Sequence, residues 1–216
     1  MSERAIIFVN GPLADPQPVR HLIGPDDILL AADGGTSHAL ALGLALSVII
    51  GDLDSLTEDE KRKAEITEVR LVEHPRDKNE TDLELALDYA LGQDFREIVI
   101  VGGVGGRLDQ TLGNLALLTS PRLSAFDIRL DDGVEEAFFT RSRCRILGKA
   151  GDVVSLIPWG GPVIGIVTEK LRWPLYGETL IPEKTRGISN EMLSEAADVH
   201  LESGLLLVVH RRQRKL

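Results

Sequence analysis

Glu97-Ile98-Val99-Ile100-Val101-Gly102-Gly103-Val104-Gly105-Gly106-Arg107-Leu108-Asp109 runs from an apolar stretch through a glycine cluster into a helical pattern stopped by Pro121. That order predicts a strand at 97–101, a loop, and a helix over about 108–118. Four apolar runs precede it, at 5–9, 28–32, 47–50 and 69–72. Before residue 97, Leu83, Leu85, Ala86, Leu87, Ala90 and Leu91 recur at helical spacing, with Thr81 and Glu84 placed for a capping box. Strands alternating with helices predict a parallel sheet covered on both faces.

The pattern changes after about residue 125. Short strand-like pieces follow at 125–130, 134–140, 143–147, 152–157, 162–168, 197–201 and 204–210. Asp132-Gly133, Gly160-Gly161 and Ser203-Gly204 punctuate them as turns. Many short strands without helices predict a sandwich or barrel. The boundary falls near Leu123, giving regions 1–123 and 124–216.

The first region delivers aspartates where strands give way to loops. Asp33 follows the run 28–32, Asp52 and Asp54 the run 47–50, Asp77 and Asp82 the run 69–72, and Asp109 the glycine cluster. In a parallel sheet these ends share one edge, and anions gather there only with a cation. Hard oxygen ligands suit Mg²⁺ better than zinc. Magnesium beside glycine-rich loops suggests a nucleotide polyphosphate.

Each motif also has a plainer reading. Asp52 and Asp54 could grip metal from one side of an extended segment, or form a polar turn before a helix capped by Ser55 or Thr57. Asp82 could serve catalysis or simply favour a helix dipole. Lys78 could meet a phosphate or a carboxylate. Gly105 and Gly106 permit close approach of backbone to ligand, but the spacing matches neither a dinucleotide fingerprint nor a Walker A loop. Arg107 could bind phosphate through its fork of donors, or pair with an aspartate. Ala32-Asp33-Gly34-Gly35 fits any tight strand-to-helix turn.

Composition narrows the choice. The 216 residues are 43% hydrophobic, enough for a real core, and the formal charge of −10 argues against a protein that coats nucleic acid. Cys144 is the only cysteine, so there is no intrachain disulfide and no thiolate zinc site, which fits a cytoplasmic protein. No signal peptide or membrane span is expected, because the apolar stretch from Ala39 to Ile50 is interrupted by Gly43 and Ser47. The five histidines are scattered and receive no role, with His210 assigned to a basic, solvated tail through Lys215. Trp159 and Trp173 are expected in the core.

Together and in this order, the motifs resemble the thiamine pyrophosphokinase (thiamine diphosphokinase) family. They are Ala32-Asp33-Gly34-Gly35, Gly51-Asp52-Leu53-Asp54-Ser55, Thr81-Asp82, and Gly105-Gly106-Arg107-Leu108-Asp109-Gln110 with Asn114. Leu171-Arg172-Trp173-Pro174-Leu175 and Gly187-Ile188-Ser189-Asn190-Glu191 complete the set. The resemblance implies an α/β fold: an N-terminal Rossmann-like parallel-sheet domain that binds ATP, then a C-terminal all-β sandwich. It implies a homodimer with thiamine at the subunit interface. It also implies transfer of the pyrophosphoryl group of ATP to thiamine, giving thiamine diphosphate and AMP. Carried over by motif, Asp52, Asp54 and Asp82 would hold Mg²⁺, and Asp33, Gly34, Thr81, Gly105, Gly106, Arg107 and Asp109 would meet the nucleotide. Ser189 and Asn190 would hydrogen-bond the aminopyrimidine ring. The chain departs from the pattern at Asn79, where many members carry aspartate, and at Met192, about where some carry a stacking aromatic residue.

In such a site positioning and charge neutralisation do most of the work. Arg107 would stabilise charge on the transferred or leaving group, and Asp82 is the first candidate to accept the alcohol proton. Three other readings stand beside this one, the plainest being a structural α/β scaffold whose aspartates are merely caps. A related diphosphokinase would act on another alcohol such as a hydroxymethylpterin, and a regulatory module would bind nucleotide without turnover.

Overall fold

The apolar runs of the first half become the strands of one parallel sheet. The computed structural model describes residues 4–13, 15–52 and 69–213. The chain divides into two units, Met1–Gly133 and Val134–Leu216. In the first unit the strands are β1 (Arg4–Phe8), β2 (Ile28–Ala32), β3 (Val48–Gly51), β4 (Arg70–Glu73), β5 (Glu97–Val101) and β6 (Asp127–Asp131). They lie in the order β6-β5-β1-β2-β3-β4, and each neighbouring pair is parallel.

The central strands are buried on both faces, which explains their unbroken apolar character. Ala5, Ile6, Ile7 and Phe8 have no exposed surface. At the margin β4 is largely exposed and carries Arg70 and Glu73, charges that discourage pairing with another chain.

The helices are α1 (Gln17–Arg20), α2 (Thr36–Ala41), α3 (Asp82–Gly92) and α4 (Leu108–Leu117). In α3 the buried side chains are Leu83, Ala86, Leu87 and Ala90, one stripe facing the sheet. Full burial of a leucine such as Leu87 contributes about 1.5–3 kcal/mol. Thr81 caps the helix: its Oγ1 accepts the Glu84 N–H at 3.2 Å. Helix α4 buries none of its residues, and Leu108 and Leu112 are exposed.

One strand belongs elsewhere than its neighbours in sequence suggest. Asp127–Asp131 pairs in parallel with β5. The helix 108–117 and the short turn Pro121–Leu123 form the crossover between them, so a boundary at Leu123 separates a crossover from the strand it serves.

The second unit contains β7 (Glu135–Thr140), β8 (Arg143–Leu147), β9 (Val153–Pro158), β10 (Val163–Glu169), β11 (Tyr176–Leu180), β12 (Asn190–Glu191), β13 (Ala196–His200) and β14 (Leu206–Arg211). They form two antiparallel groups, β12-β9-β14-β7 and β11-β10-β13-β8. One cluster of buried side chains draws on both, with Phe138, Val154, Leu156 and Val208 from the first and Ile146, Val163, Ile166 and Val199 from the second. Strands β11 and β12 went unread in the sequence. Tyr176-Gly177-Glu178-Thr179-Leu180 lacks apolar alternation, and β12 is only two residues long.

His210 is not part of a solvated tail. It lies in β14, fully buried, with Nδ1 2.8 Å from Glu136 Oε1 and Nε2 3.1 Å from Asp152 Oδ2. Arg212 Nη2 stands 3.5 Å from the same Glu136 oxygen. Strand register explains this, because β14 places His210 opposite Glu136 of β7 and Val154 of β9. Among the described residues, no helix is long and apolar enough to cross a membrane.

Candidate active site

A parallel sheet sends the loops that follow its strands to one edge, where ligands bind. Here those loops and the start of α3 line a cavity of about 730 Å³. Asn10 comes from the loop after β1, Asp33 and His38 from the segment after β2, Thr81 and Asp82 from the start of α3, and Arg107 from the loop after β5. The loops meet closely enough to require glycine. A Cβ on Gly11 would sit 1.9 Å from the Gly102 carbonyl oxygen, and one on Gly35 would sit 2.1 Å from that of Phe8.

The acidic residues gather around Gly51. A Cβ there would lie 3.0 Å from Asp33 Cβ and 3.3 Å from Asp82 Oδ1, so both flank the backbone just before Asp52. Asp33, Asp52 and Asp82 are all part-buried. Asp33 adopts φ 44°, a left-handed conformation uncommon for a residue with a side chain and often found at functional sites. Lys78 Nζ is 2.6 Å from Asp82 Oδ1, so this lysine meets a carboxylate. Asp54, Ser55 and Thr57 lie outside the described residues. Among those described, no three His, Cys, Asp or Glu side chains form a ready metal cage. Magnesium does not require one: it commonly takes one or two carboxylates, with phosphate and water completing the shell.

The glycine loop is braced from α4. Thr111 Oγ1 accepts the Gly105 N–H at 3.1 Å and donates to the Gly105 carbonyl at 3.3 Å. One turn on, Asn114 Nδ2 donates to the Gly103 carbonyl at 2.8 Å. Arg107 pairs with Asp109 in a fork, Nε to Oδ1 at 3.1 Å and Nη2 to Oδ2 at 2.6 Å. Hydrogen bonds from Arg107 hold the Asp109 carboxyl below the usual aspartate range. Both side chains are exposed, so water screens the pair and a phosphate can compete for the guanidinium.

Asn10, His38 and Thr111 were not singled out from sequence. His38 Nε2 lies 2.8 Å from the Gly11 carbonyl, a contact that ties α2 to the first loop. Its one signal was its position about a turn beyond a strand-end aspartate.

Ser189 and Asn190 lie in the second unit. Ser189 is exposed at φ 58°, and its N–H donates to Ser155 Oγ at 3.0 Å. Asn190 is buried. Trp173 is not a core residue as expected: half its surface is exposed, and the Arg172 guanidinium lies 5.1 Å from its ring centre. Trp159 is not a core residue either: it is half-buried, edge-on to the half-buried Phe139 at 5.4 Å. Met192 is fully buried, leaving no side chain at that position to stack on a ligand.

Residues 19–130 match the family model described as thiamin pyrophosphokinase, catalytic domain, and residues 143–206 match the one described as thiamin pyrophosphokinase, vitamin B1 binding domain. The chain belongs to the thiamine pyrophosphokinase family. The thiamine pyrophosphokinase of Bacillus subtilis is 30% identical over 182 residues, covering 83% of this chain and 85% of that protein. A crystal structure of thiamine pyrophosphokinase from Bacillus subtilis superimposes with a TM-score of 0.87 at 26% identity, covering 98% of this chain and all of the other. The yeast thiamin pyrophosphokinase structure shares the fold at 17% identity, with a TM-score of 0.78 over 97% of this chain and 86% of the other. The chain is thus an ATP-dependent diphosphotransferase of this family. The matches favour that reading over a pterin-directed enzyme or a non-catalytic module.

Proposed function

We propose that this enzyme transfers the β,γ-pyrophosphoryl group of ATP to the hydroxyethyl oxygen of thiamine, releasing AMP and thiamine diphosphate. One observation carries the reading: loops from several strand ends turn Asp33, Asp82, the glycine cluster and Arg107 toward a single cavity in the first unit. Asp33, Gly34, Thr81, Gly105, Gly106, Arg107 and Asp109 would contact the nucleotide. The positive dipole end at the start of α3 favours phosphate there. Asp52, Asp54 and Asp82 would hold Mg²⁺, which when bound neutralises polyphosphate charge. Arg107 exchanges Asp109 for phosphate and stabilises charge on the leaving AMP or the transferred group. Asp82 is poised to accept the alcohol proton. The acidic rim also attracts thiamine, whose thiazolium ring is a cation.

In the same reading the first unit is Rossmann-like and the second a β-sandwich. Thiamine meets the second unit at Gly187 to Glu191, where Ser189 is exposed, and at the half-exposed Trp173. Exposed Leu147, Tyr176 and Leu193 support burial against a second copy in a homodimer. A single cysteine suits the reducing cytoplasm. The test is incubation of purified protein with ATP, Mg²⁺ and thiamine, followed by nucleotide analysis. AMP without ADP is expected, and ADP as the only nucleotide product overturns the proposal.

A further inference from the structure

Two short segments of the second unit run side by side. Leu171 bridges Met192, and the Arg172 N–H donates to the Glu191 carbonyl at 2.9 Å. Across the same step Arg172 Nη1 lies 2.9 Å from Glu191 Oε2. A backbone ladder cannot run on through residue 174, because Pro174 has no N–H to give.

Just before that point the Asn190 side chain meets the backbone of Trp173. Its Oδ1 accepts the Trp173 N–H at 3.0 Å, and its Nδ2 donates to the Trp173 carbonyl at 2.7 Å. The same Oδ1 accepts the Glu191 N–H at 2.9 Å. A carboxamide has two acceptor lone pairs and two donor hydrogens. Both lone pairs and one hydrogen are therefore engaged inside the protein, and the residue is only 6% exposed. Little remains with which to hold a substrate.

We infer that Asn190 is a positioning residue that fixes the Trp173 ring, while Ser189 beside it faces the substrate. The inference rests on the thiamine-binding reading of this segment. A peptide-like pair of hydrogen bonds locks the backbone of Trp173, and the Arg172 guanidinium sits over the ring. A half-exposed tryptophan would otherwise move among rotamers, and ordering it beforehand lowers the entropic cost of binding a flat cation against it. Asn190 thus acts on substrate through Trp173.

A double-mutant cycle read by two signals tests this. Asn190→Ala should raise the thiamine KM by about tenfold while the ATP KM and kcat stay within about twofold. Added to Trp173→Ala, it should change the thiamine KM by less than about twofold, because its route of action is already gone. In a Trp159→Phe background without substrate, Asn190→Ala should lower the emission anisotropy of Trp173. Asn190→Asp keeps both acceptor contacts and loses the donor, so its effects should fall between those of wild type and alanine. It also serves if the alanine protein does not fold. Additive effects of Asn190→Ala and Trp173→Ala on thiamine KM, or unchanged anisotropy, overturn the inference. If the unaltered protein makes no AMP with thiamine, the functional reading fails alone, and the substrate-free anisotropy still decides whether Asn190 holds Trp173.

Discussion

The first unit sets Asp33 and Asp82 at the edge of a cavity, part-buried, whereas the second encloses Glu136 and Asp152 around His210 in its interior. The same side chains serve opposite ends. A rim carboxylate keeps some water and remains available to a ligand. An interior carboxylate has lost its water and needs a protein partner. The His210 ring sets one nitrogen against each carboxylate, and Arg212 brings a positive charge to Glu136. Charge at the cavity edge therefore stays within reach of a ligand, while charge in the second unit joins three strands, β7, β14 and the start of β9.

The largest expected effect breaks the interior set. His210→Ala leaves two buried carboxylates without the ring between them and should destabilise the protein by about 3–5 kcal/mol in equilibrium urea unfolding. A loss below about 1 kcal/mol would mean that the interior acids do not depend on the ring between them, and the contrast would disappear.

Next comes the rim. Asp82→Asn should lower turnover by at least about a hundredfold, roughly 2.7 kcal/mol of transition-state stabilisation, with the melting temperature held or raised. Asp54→Asn should behave alike on sequence grounds. Unchanged AMP release would remove the altered residue from the site, and unfolding would make it a structural acid like Asp152. Thr81→Ala removes the cap of α3 and should cost about 1 kcal/mol of stability, since the Glu84 N–H loses its acceptor.

The smallest effect lies along the pH axis. Burial alone would raise the Asp152 carboxyl, but N–H groups of Gln213 and Lys149 and the His210 ring outweigh it and hold the group below its usual range. The unfolded chain then takes up the proton first. Asp152 contributes its full stabilisation above an unfolded value near about 3.9, and the contribution fades as pH falls through the lower folded value. Asp152→Asn should flatten this part of an acid-unfolding curve. An unaltered curve would show that these contacts do not favour the ionised form.

Much of this was legible in the chain. Runs 28–32, 97–101 and 143–147 coincide with strands, because burial on one or both faces imposes an apolar pattern that a sequence displays directly. Thr81 announced the start of α3 through local capping chemistry. Strand β12 did not announce itself, since two residues carry no period. Trp173 reads as core because tryptophan is highly buried on average, whereas its half-exposure is a tertiary fact that no local pattern displays. His210 looked like tail because its neighbours in sequence are Arg211 and Arg212, whereas its neighbours in space are Glu136 and Asp152.

The sequence by itself determined where strands, helices and acidic loop residues occur, since periodicity, caps and glycine turns act over a few positions along the chain. Only the tertiary structure decided which polar groups spend themselves on one another: His210 on Glu136 and Asp152, Asn190 on Trp173, Arg107 on Asp109. A hydrogen bond reaches about 3 Å through space, and distance along the chain does not limit which partner it finds.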